Sequence, residues 1–130
     1  INSPGRSVTD GLSMIDTMNL VSCDVATICV GTAASMGSLL LMSGTKGKRK
    51  ILPHGNVLNH QPLINGIQGR TQASDIEIIA SDTKSYRNLI NLAILVLCQI
   101  ENDCDRDNRL NAQEALEYGI VDEIIKSHKA

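Results

Sequence analysis

Aromatic residues are almost missing from this sequence, which has two Tyr, no Phe and no Trp among 130 residues. The hydrophobic core must therefore consist of Leu, Ile, Val, Ala and Met. An apolar run of membrane length is also missing, because residues 89–100 form a stretch of about 12 where a spanning helix needs about 20. A net charge of −2 excludes a general attraction to nucleic acid or to an anionic membrane surface.

Paired cysteine motifs are lacking as well. No two of the four cysteines form a Cys-x-x-Cys motif, and no His stands at zinc-ligand spacing from them. The four are Cys23, Cys29, Cys98 and Cys104. We therefore predict buried free thiols in a reducing compartment and no metal site.

Alternating strand-like and helix-like segments predict an α/β fold with a largely parallel sheet. An amphipathic helix follows the first loop, and Thr9 or Asp10 is expected to cap it. Residues 25–30 are β-branched and apolar, which predicts a buried strand, and residues 38–43 predict a short helix. The chain starts at Ile1 inside a strand-like segment, so we expect a fragment or a processed product.

The second half continues the alternation. The basic residues 45–50 lack the Walker spacing and indicate a solvated link rather than a phosphate site. A long helix is predicted at 75–100, and because its second half is apolar on all sides it favours a subunit interface. A capped helix at 111–118 should end at Gly119, with a strand or short helix at 120–125.

The acidic segment 103–114 is close to a calcium-binding EF-hand loop. Carboxylates stand at loop positions 1, 3 and 5 and Glu114 at position 12, with apolar helical segments on both sides. Asn108 replaces the glycine that makes the sharp turn at position 6. An acidic surface turn and a catalytic carboxylate are the alternatives.

Ser35 stands between the predicted strand at 25–30 and the predicted helix at 38–43. A serine on such a turn lies near helix N–H groups that have no intrahelical partner, which suits a nucleophile beside an oxyanion hole. The alternative is that the small residues of 31–37 only let the helix pack close to the strand. The order Ser35, His60, Asp107 is compatible with a catalytic triad.

Eight motifs, in order along the chain, resemble the Clp protease proteolytic-subunit family. They are Ile1-Asn2-Ser3-Pro4-Gly5, Asp16-Thr17-Met18, Ala33-Ala34-Ser35-Met36-Gly37, Gly44-Thr45-Lys46-Gly47-Lys48-Arg49, His60-Gln61-Pro62-Leu63, Asp75-Ile76-Glu77-Ile78, Asp105-Arg106-Asp107 and the run from Glu114-Ala115 to Tyr118-Gly119-Ile120-Val121-Asp122. The resemblance covers essentially the whole chain.

This resemblance implies a partial domain of the α/β, crotonase-like fold, a spiral of β-β-α units with a protruding handle of a strand and a long helix. The head would comprise residues 1–60 and 103–130, and the handle residues 61–102 or thereabouts.

The resemblance also implies a serine endopeptidase that cleaves unfolded polypeptides inside a chamber. Ser35 would be the nucleophile, His60 the general base and Asp107 the residue that orients the imidazole. The oxyanion donors would be the backbone N–H groups of Arg6 and Met36. No metal or cofactor is implied for the chain itself, because ATP is used by the partner.

The partners implied are copies of the same or a related subunit in two stacked heptameric rings, a hexameric AAA+ unfoldase, and unfolded polypeptide substrates. Neither nucleic acid nor a membrane is implied. The compartment implied is the chloroplast stroma or the bacterial cytoplasm, ahead of the mitochondrial matrix.

The sequence departs from the family pattern at the oxyanion strand, where Arg6 replaces the second glycine of Ser-Pro-Gly-Gly. A Thr-Gly-Gln turn after the long helix is missing before Asp107, and the handle is about three residues longer than the pattern. These departures favour an alternative, a non-catalytic structural subunit or truncated product.

Overall fold

The structure is a computed structural model that describes residues 1–59, Ser81, Lys84 and residues 108–126. Ser81 and Lys84 are helical and exposed, and both fall inside the helix predicted at 75–100. The rest of that helix and of the predicted handle lies outside the described residues, as do His60, Asp107 and residues 103–107 of the acidic segment.

Helix α1 (Val8–Leu20) begins after Ser7, whose hydroxyl accepts a hydrogen bond from the N–H of Asp10 at 3.3 Å. The prediction that Thr9 or Asp10 caps this helix was therefore wrong. Ser7 has an extended backbone, so its hydroxyl reaches the N–H three residues on, whereas both predicted caps already lie inside the first helical turn.

Two shorter helices are described over their whole length, α2 (Met36–Met42) and α3 (Ala112–Glu117). Helix α2 begins two residues before its predicted start. Helix α3 carries a full capping box, because Asn111 accepts from the N–H of Glu114 at 3.0 Å while the Glu114 carboxylate accepts from the N–H of Asn111 at 2.8 Å. Gly119 follows it at φ 85°, which confirms the predicted end of this helix.

Within the described residues, six short strands form two three-stranded sheets. In chain order they are β1 (Thr27–Cys29), β2 (Thr32–Ala34), β3 (Arg49–Ile51), β4 (Asn56–Asn59), β5 (Asn108–Asn111) and β6 (Glu123–Ile124). The first sheet has the order β1-β3-β6 and is parallel throughout. The second has the order β2-β4-β5, with β2 and β4 parallel and β4 and β5 antiparallel.

Strand β1 covers residues 27–29 of the strand predicted at 25–30, and a second strand follows at 32–34, where none was predicted. β1 ends at Cys29, the chain bends at Val30 and Gly31, and β2 begins at Thr32 in the other sheet. The fold is therefore α/β as predicted, but its strands are shared between two sheets, and one pair is antiparallel.

Helix α2 contacts α1 and strands of both sheets, and the aliphatic core surrounds it. The largest fully buried side chains are Leu41, Met42, Ile51, Ile120, Val57 and Val121, with Cys29 and Ser38. Among the described residues the fully buried core is aliphatic, as predicted, and Tyr118 packs against it from a partly buried position. Cys29 is a buried free thiol as predicted, whereas Cys23 is free but exposed.

The basic turn at 45–50 is not simply a solvated link. Arg49 is the first residue of β3, and its guanidinium binds the Asp122 carboxylate through two hydrogen bonds of 2.9 and 2.6 Å. The same carboxylate accepts the backbone N–H groups of Gly47 at 2.8 Å and Arg49 at 3.0 Å. We call these three residues the clasp, because they join the turn to the chain before β6.

Within the described parts of the chain, no helix has the length and apolar character that crossing a membrane requires.

Candidate active site

Ser35 occupies a sharp turn between β2 and α2, and we call residues 34–36 the elbow. Its backbone torsions are φ 54° and ψ −122°, a conformation that non-glycine residues rarely adopt. A strained serine between a strand and a helix is the arrangement that exposes a nucleophilic hydroxyl in serine hydrolases with an elbow. The Ser35 side chain does not cap α2, so the hydroxyl is not used in starting the helix.

The segment formed by residues 3–6, the flanking segment, runs beside the elbow. Ser3 pairs with Ala33 in a parallel bridge, donating its N–H to Thr32 at 2.7 Å and accepting from Ala34 at 2.9 Å. Gly5 has φ 79°, and a Cβ placed on it would lie 2.6 Å from Ser35 Cβ and 2.7 Å from the Ala34 carbonyl oxygen. Only glycine permits the flanking segment to approach the elbow this closely.

Arg6 follows Gly5 with φ 137°, a torsion that favours glycine. A residue with a Cβ in such a conformation costs roughly 1–3 kcal/mol. Within the described part of the chain, Arg6 and Ser35 are the non-glycine residues with positive φ, and both belong to this site.

A cleft of about 500 Å³ lies on the α1 side of the elbow. Met36, Leu40 and Met14 contribute apolar walls, and Arg6 and Asp10 also line it. The first residue of a helix has no intrahelical partner for its N–H, so the Met36 amide can serve as a donor to an anion at the elbow. The cleft can therefore take an apolar side chain next to the backbone donor of Met36.

The ends of β2 and β4 meet at the elbow, and β5 begins on the far side of β4. The Ser35 N–H donates to the Leu58 carbonyl at 2.8 Å, which joins the end of β2 to the end of β4. On the other side of β4, Asn59 pairs with Asn108 in the antiparallel register. These two residues are the chain neighbours of His60 and Asp107.

The structure thus brings together three of the five predicted site residues. Ser35 forms the elbow, while Arg6 and Met36 line the adjacent cleft on either side of Gly5. His60 and Asp107 fall outside the described residues, so their roles stay predictions.

Sequence reasoning missed two buried polar residues behind the elbow, Ser38 and Asn59, which are 1% and 6% exposed. The Ser38 hydroxyl lies 2.7 Å from the Ser35 carbonyl oxygen and also hydrogen-bonds the Asn59 side chain. The available signal was Asn59 itself, a polar residue two positions after Val57 on the buried face of β4.

The clasp is the strongest electrostatic feature of the described residues. Hydrogen bonding from the Arg49 side chain, with further N–H donors from Arg49 and Gly47, lowers the pKa of Asp122 from 3.8 to about 2, against the opposing effect of burial. It joins the start of β3 to the residue before β6 in the β1-β3-β6 sheet, whereas the elbow follows β2 of the other sheet.

The calcium alternative is not supported by the described half of the acidic segment. Asn108–Asn111 form β5, paired with β4, and the Glu114 carboxylate binds the N–H of Asn111. A strand followed by a capping box differs from a loop whose twelfth residue ligates an ion. The described residues contain no group of three or more His, Cys, Asp or Glu able to hold a metal.

Comparison with known proteins decides the family. The family model for Clp protease matches residues 1–128. The chain belongs to the Clp protease family. It is 51% identical over 130 aligned positions to a protein named ATP-dependent Clp protease proteolytic subunit 2 from Prochlorococcus marinus (strain MIT 9313). The match covers 96% of this chain and 64% of that relative, so this Clp protease chain spans a little under two thirds of the relative's length.

Proposed function

We propose that this Clp protease chain is a proteolytic subunit acting as a serine endopeptidase on unfolded polypeptides. The observation that supports it most is the elbow, where Ser35 is held at φ 54° and ψ −122° at the start of α2. Family membership supports the reaction class, and the apolar cleft beside Met36 suits a substrate side chain.

In the proposed mechanism, Ser35 Oγ attacks the scissile carbonyl while His60 accepts the hydroxyl proton, and Asp107 holds the imidazole in the required tautomer. The N–H groups of Met36 and Arg6 stabilise the tetrahedral oxyanion. His60 then protonates the leaving amine, which leaves an acyl-enzyme on Ser35. Water attacks this acyl group while His60 accepts the water's proton, and His60 returns the proton to Ser35 Oγ as the new carboxylate product leaves. The junction of β2, β4 and β5 supports this grouping, because it places the chain neighbours of His60 and Asp107 opposite one another.

The proposal extends to the assembly. The chain would form the head of a crotonase-like spiral at 1–60 and 103–130, with a handle at about 61–102, in two stacked heptameric rings served by a hexameric AAA+ unfoldase. It needs no cofactor of its own. A chloroplast stroma or a bacterial cytoplasm is the proposed compartment.

A fluorophosphonate that labels activated serines tests the proposal. We expect stoichiometric labelling at Ser35, located by peptide mass spectrometry, and no labelling after Ser35→Ala. Ser43→Ala is the matched control, because Ser43 lies just beyond the other end of α2 and donates to the Leu39 carbonyl at 2.8 Å. Absence of labelling in assembled, folded wild-type protein would contradict the catalytic role.

A non-catalytic structural subunit is the second candidate, and the backbone of Arg6 is the observation that favours it. Arg6 would donate its N–H to the oxyanion, and its backbone is strained at φ 137°. If this backbone does not relax when substrate binds, the N–H is not aimed at the oxyanion. Under this alternative wild-type protein is not labelled, and Arg6→Gly restores labelling.

A further inference from the structure

The buried hydroxyl of Ser38 lies where it can hold the elbow in its strained form. Strained torsions persist only where surrounding contacts determine them. The ψ angle of Ser35 sets the direction of its carbonyl, and that oxygen accepts from the N–H of Ser38 at 2.9 Å, the N–H of Leu39 at 3.3 Å and the hydroxyl of Ser38 at 2.7 Å.

The same hydroxyl reaches a second element. Its other partner is the side-chain amide of Asn59, the last residue of β4. A hydroxyl has one proton, so it cannot donate to the Ser35 carbonyl and to an amide oxygen at once. The amide oxygen of Asn59 faces Ser38 Oγ in the structure. A rotation of the amide by 180° hardly changes its shape, and it lets the NH₂ donate to Ser38 Oγ while the hydroxyl donates to the Ser35 carbonyl.

We infer that Ser38 and Asn59 are positioning residues for the nucleophile, joining the Ser35 carbonyl to the end of β4 through one buried hydroxyl. The inference rests on the proposed function of Ser35 and adds to it residues that do not touch substrate. The Ser35 N–H already donates to the Leu58 carbonyl, so the bridge ties the carbonyl of the same residue, in the following peptide unit, to the next residue of β4. The elbow is thereby held to β4 from both its N–H and its carbonyl.

A double-mutant cycle separates positioning from simple stability. Ser38→Ala leaves the Asn59 amide buried without its partner and should lower both the melting temperature and the labelling rate of Ser35. In Ser38→Ala/Asn59→Leu both polar partners become apolar with little change of shape, which is close to neutral for stability. We expect the double variant to regain the wild-type melting temperature and to stay about tenfold slower in labelling.

The rate is read at saturating fluorophosphonate, with the half-saturating concentration unchanged, because the bridge does not line the cleft. Ser43→Ala is again the control and should match wild type in both measurements. A double variant that recovers melting temperature and labelling rate together would overturn the inference while leaving the proposed function intact.

Amide hydrogen exchange at Ser35 tests the bridge without relying on catalysis. Because its N–H is bonded to β4, we expect exchange at Ser35 to accelerate at least tenfold in Ser38→Ala and in the double variant, but not in Ser43→Ala. If wild-type protein is not labelled, the proposed function fails and this measurement alone decides the bridge. Unchanged exchange at Ser35 in both variants would overturn it.

Discussion

The flanking segment at the elbow and the turn at the clasp each contain a glycine with positive φ, but the two glycines differ in how closely other atoms approach them and in the strain of the residues beside them. Gly5 has φ 79° and Gly47 has φ 86°. A Cβ on Gly5 would collide with Ser35 and Ala34, whereas a Cβ on Gly47 would have no neighbour within 4 Å. Beside Gly5 stand two strained residues, Arg6 and Ser35, while the residues of the clasp satisfy one carboxylate with four hydrogen bonds.

This difference indicates where the fold tolerates unfavourable conformations. At the clasp, charge and hydrogen bonding act together and lower the energy of the folded state. At the elbow the backbone is held in torsions that cost roughly 1–3 kcal/mol each, and such torsions concentrate at functional sites. The elbow therefore depends on support from its surroundings, which the clasp does not need.

The largest expected effect comes from Gly5→Ala. It should lower the free energy of unfolding by about 4 kcal/mol, because a left-handed alanine costs about 1–2 kcal/mol and an overpacked contact about 1–3 kcal/mol. Labelling at Ser35 should be lost with it. Gly47→Ala is the matched control and should cost about 1 kcal/mol, since its Cβ meets open space. Urea denaturation measures both changes, and an equal loss of unfolding free energy in the two variants would contradict the difference between the two loops.

Asp122→Asn should come next, at about 3 kcal/mol, because it removes the negative charge that pairs with the buried Arg49 guanidinium. The Arg49 side chain is 9% exposed. Glu123→Gln provides the control on the adjacent residue, where the Lys50–Glu123 pair at 2.7 Å is far more exposed and should contribute less than about 1 kcal/mol. Ser35 labelling should survive both substitutions. A comparable loss from the two variants would contradict the importance of burial at the clasp.

Acid should weaken the clasp by about 2 kcal/mol, since the pKa of Asp122 is lowered from 3.8 to about 2. A carboxyl whose folded-state pKa is depressed contributes stability above its unfolded pKa and loses it as the pH falls through the folded value. We expect the difference in unfolding free energy between wild type and Asp122→Asn to narrow from about pH 4 to about pH 2. Urea denaturation across this range measures it, and a difference independent of pH would be evidence against the assignment.

Arg6→Gly should give the smallest effect, a gain of about 1 kcal/mol, because relief of strain exceeds the backbone entropy that glycine adds to the unfolded state. Arg6→Ala is its control: it removes the cation but keeps the Cβ, so the strain should remain. Comparison of the two by thermal denaturation separates conformation from charge. Stabilisation by both would show that the guanidinium, and not the backbone, is unfavourable.

Local signals in the sequence were reliable for the ends of helices. The ends of α3 could be predicted because Asn111 and Gly119 act through their own backbone and nearest neighbours. The aliphatic core followed from composition. Ser7 was missed in favour of Thr9 or Asp10 because several capping residues stand close together, and tertiary packing selects among them.

Long-range pairings were beyond sequence reasoning. Arg49 and Asp122 are 73 residues apart, and Ser38 and Asn59 are 21 apart, so no periodic pattern connects either pair. Strand β2 was also missed, because residues 32–34 are Thr-Ala-Ala, a run of small residues without a strand pattern of their own. Ordered motifs predicted Ser35, Arg6 and Met36 as site residues, and the structure places them close together, while the strain at Arg6 and Ser35 required backbone torsions. His60 and Asp107 stay predictions.

The antiparallel pairing of β4 with β5 has a consequence for the design of chimaeras. Asn59 and Asn108 face each other across this ladder, although 48 residues separate them in the sequence. The ladder fixes both ends of the intervening segment, so the entropy cost of closing this loop grows only slowly with the loop's length. A chimaera that takes the residues between Asn59 and Asn108 from a relative should therefore keep the register of β4 and β5 at the splice points.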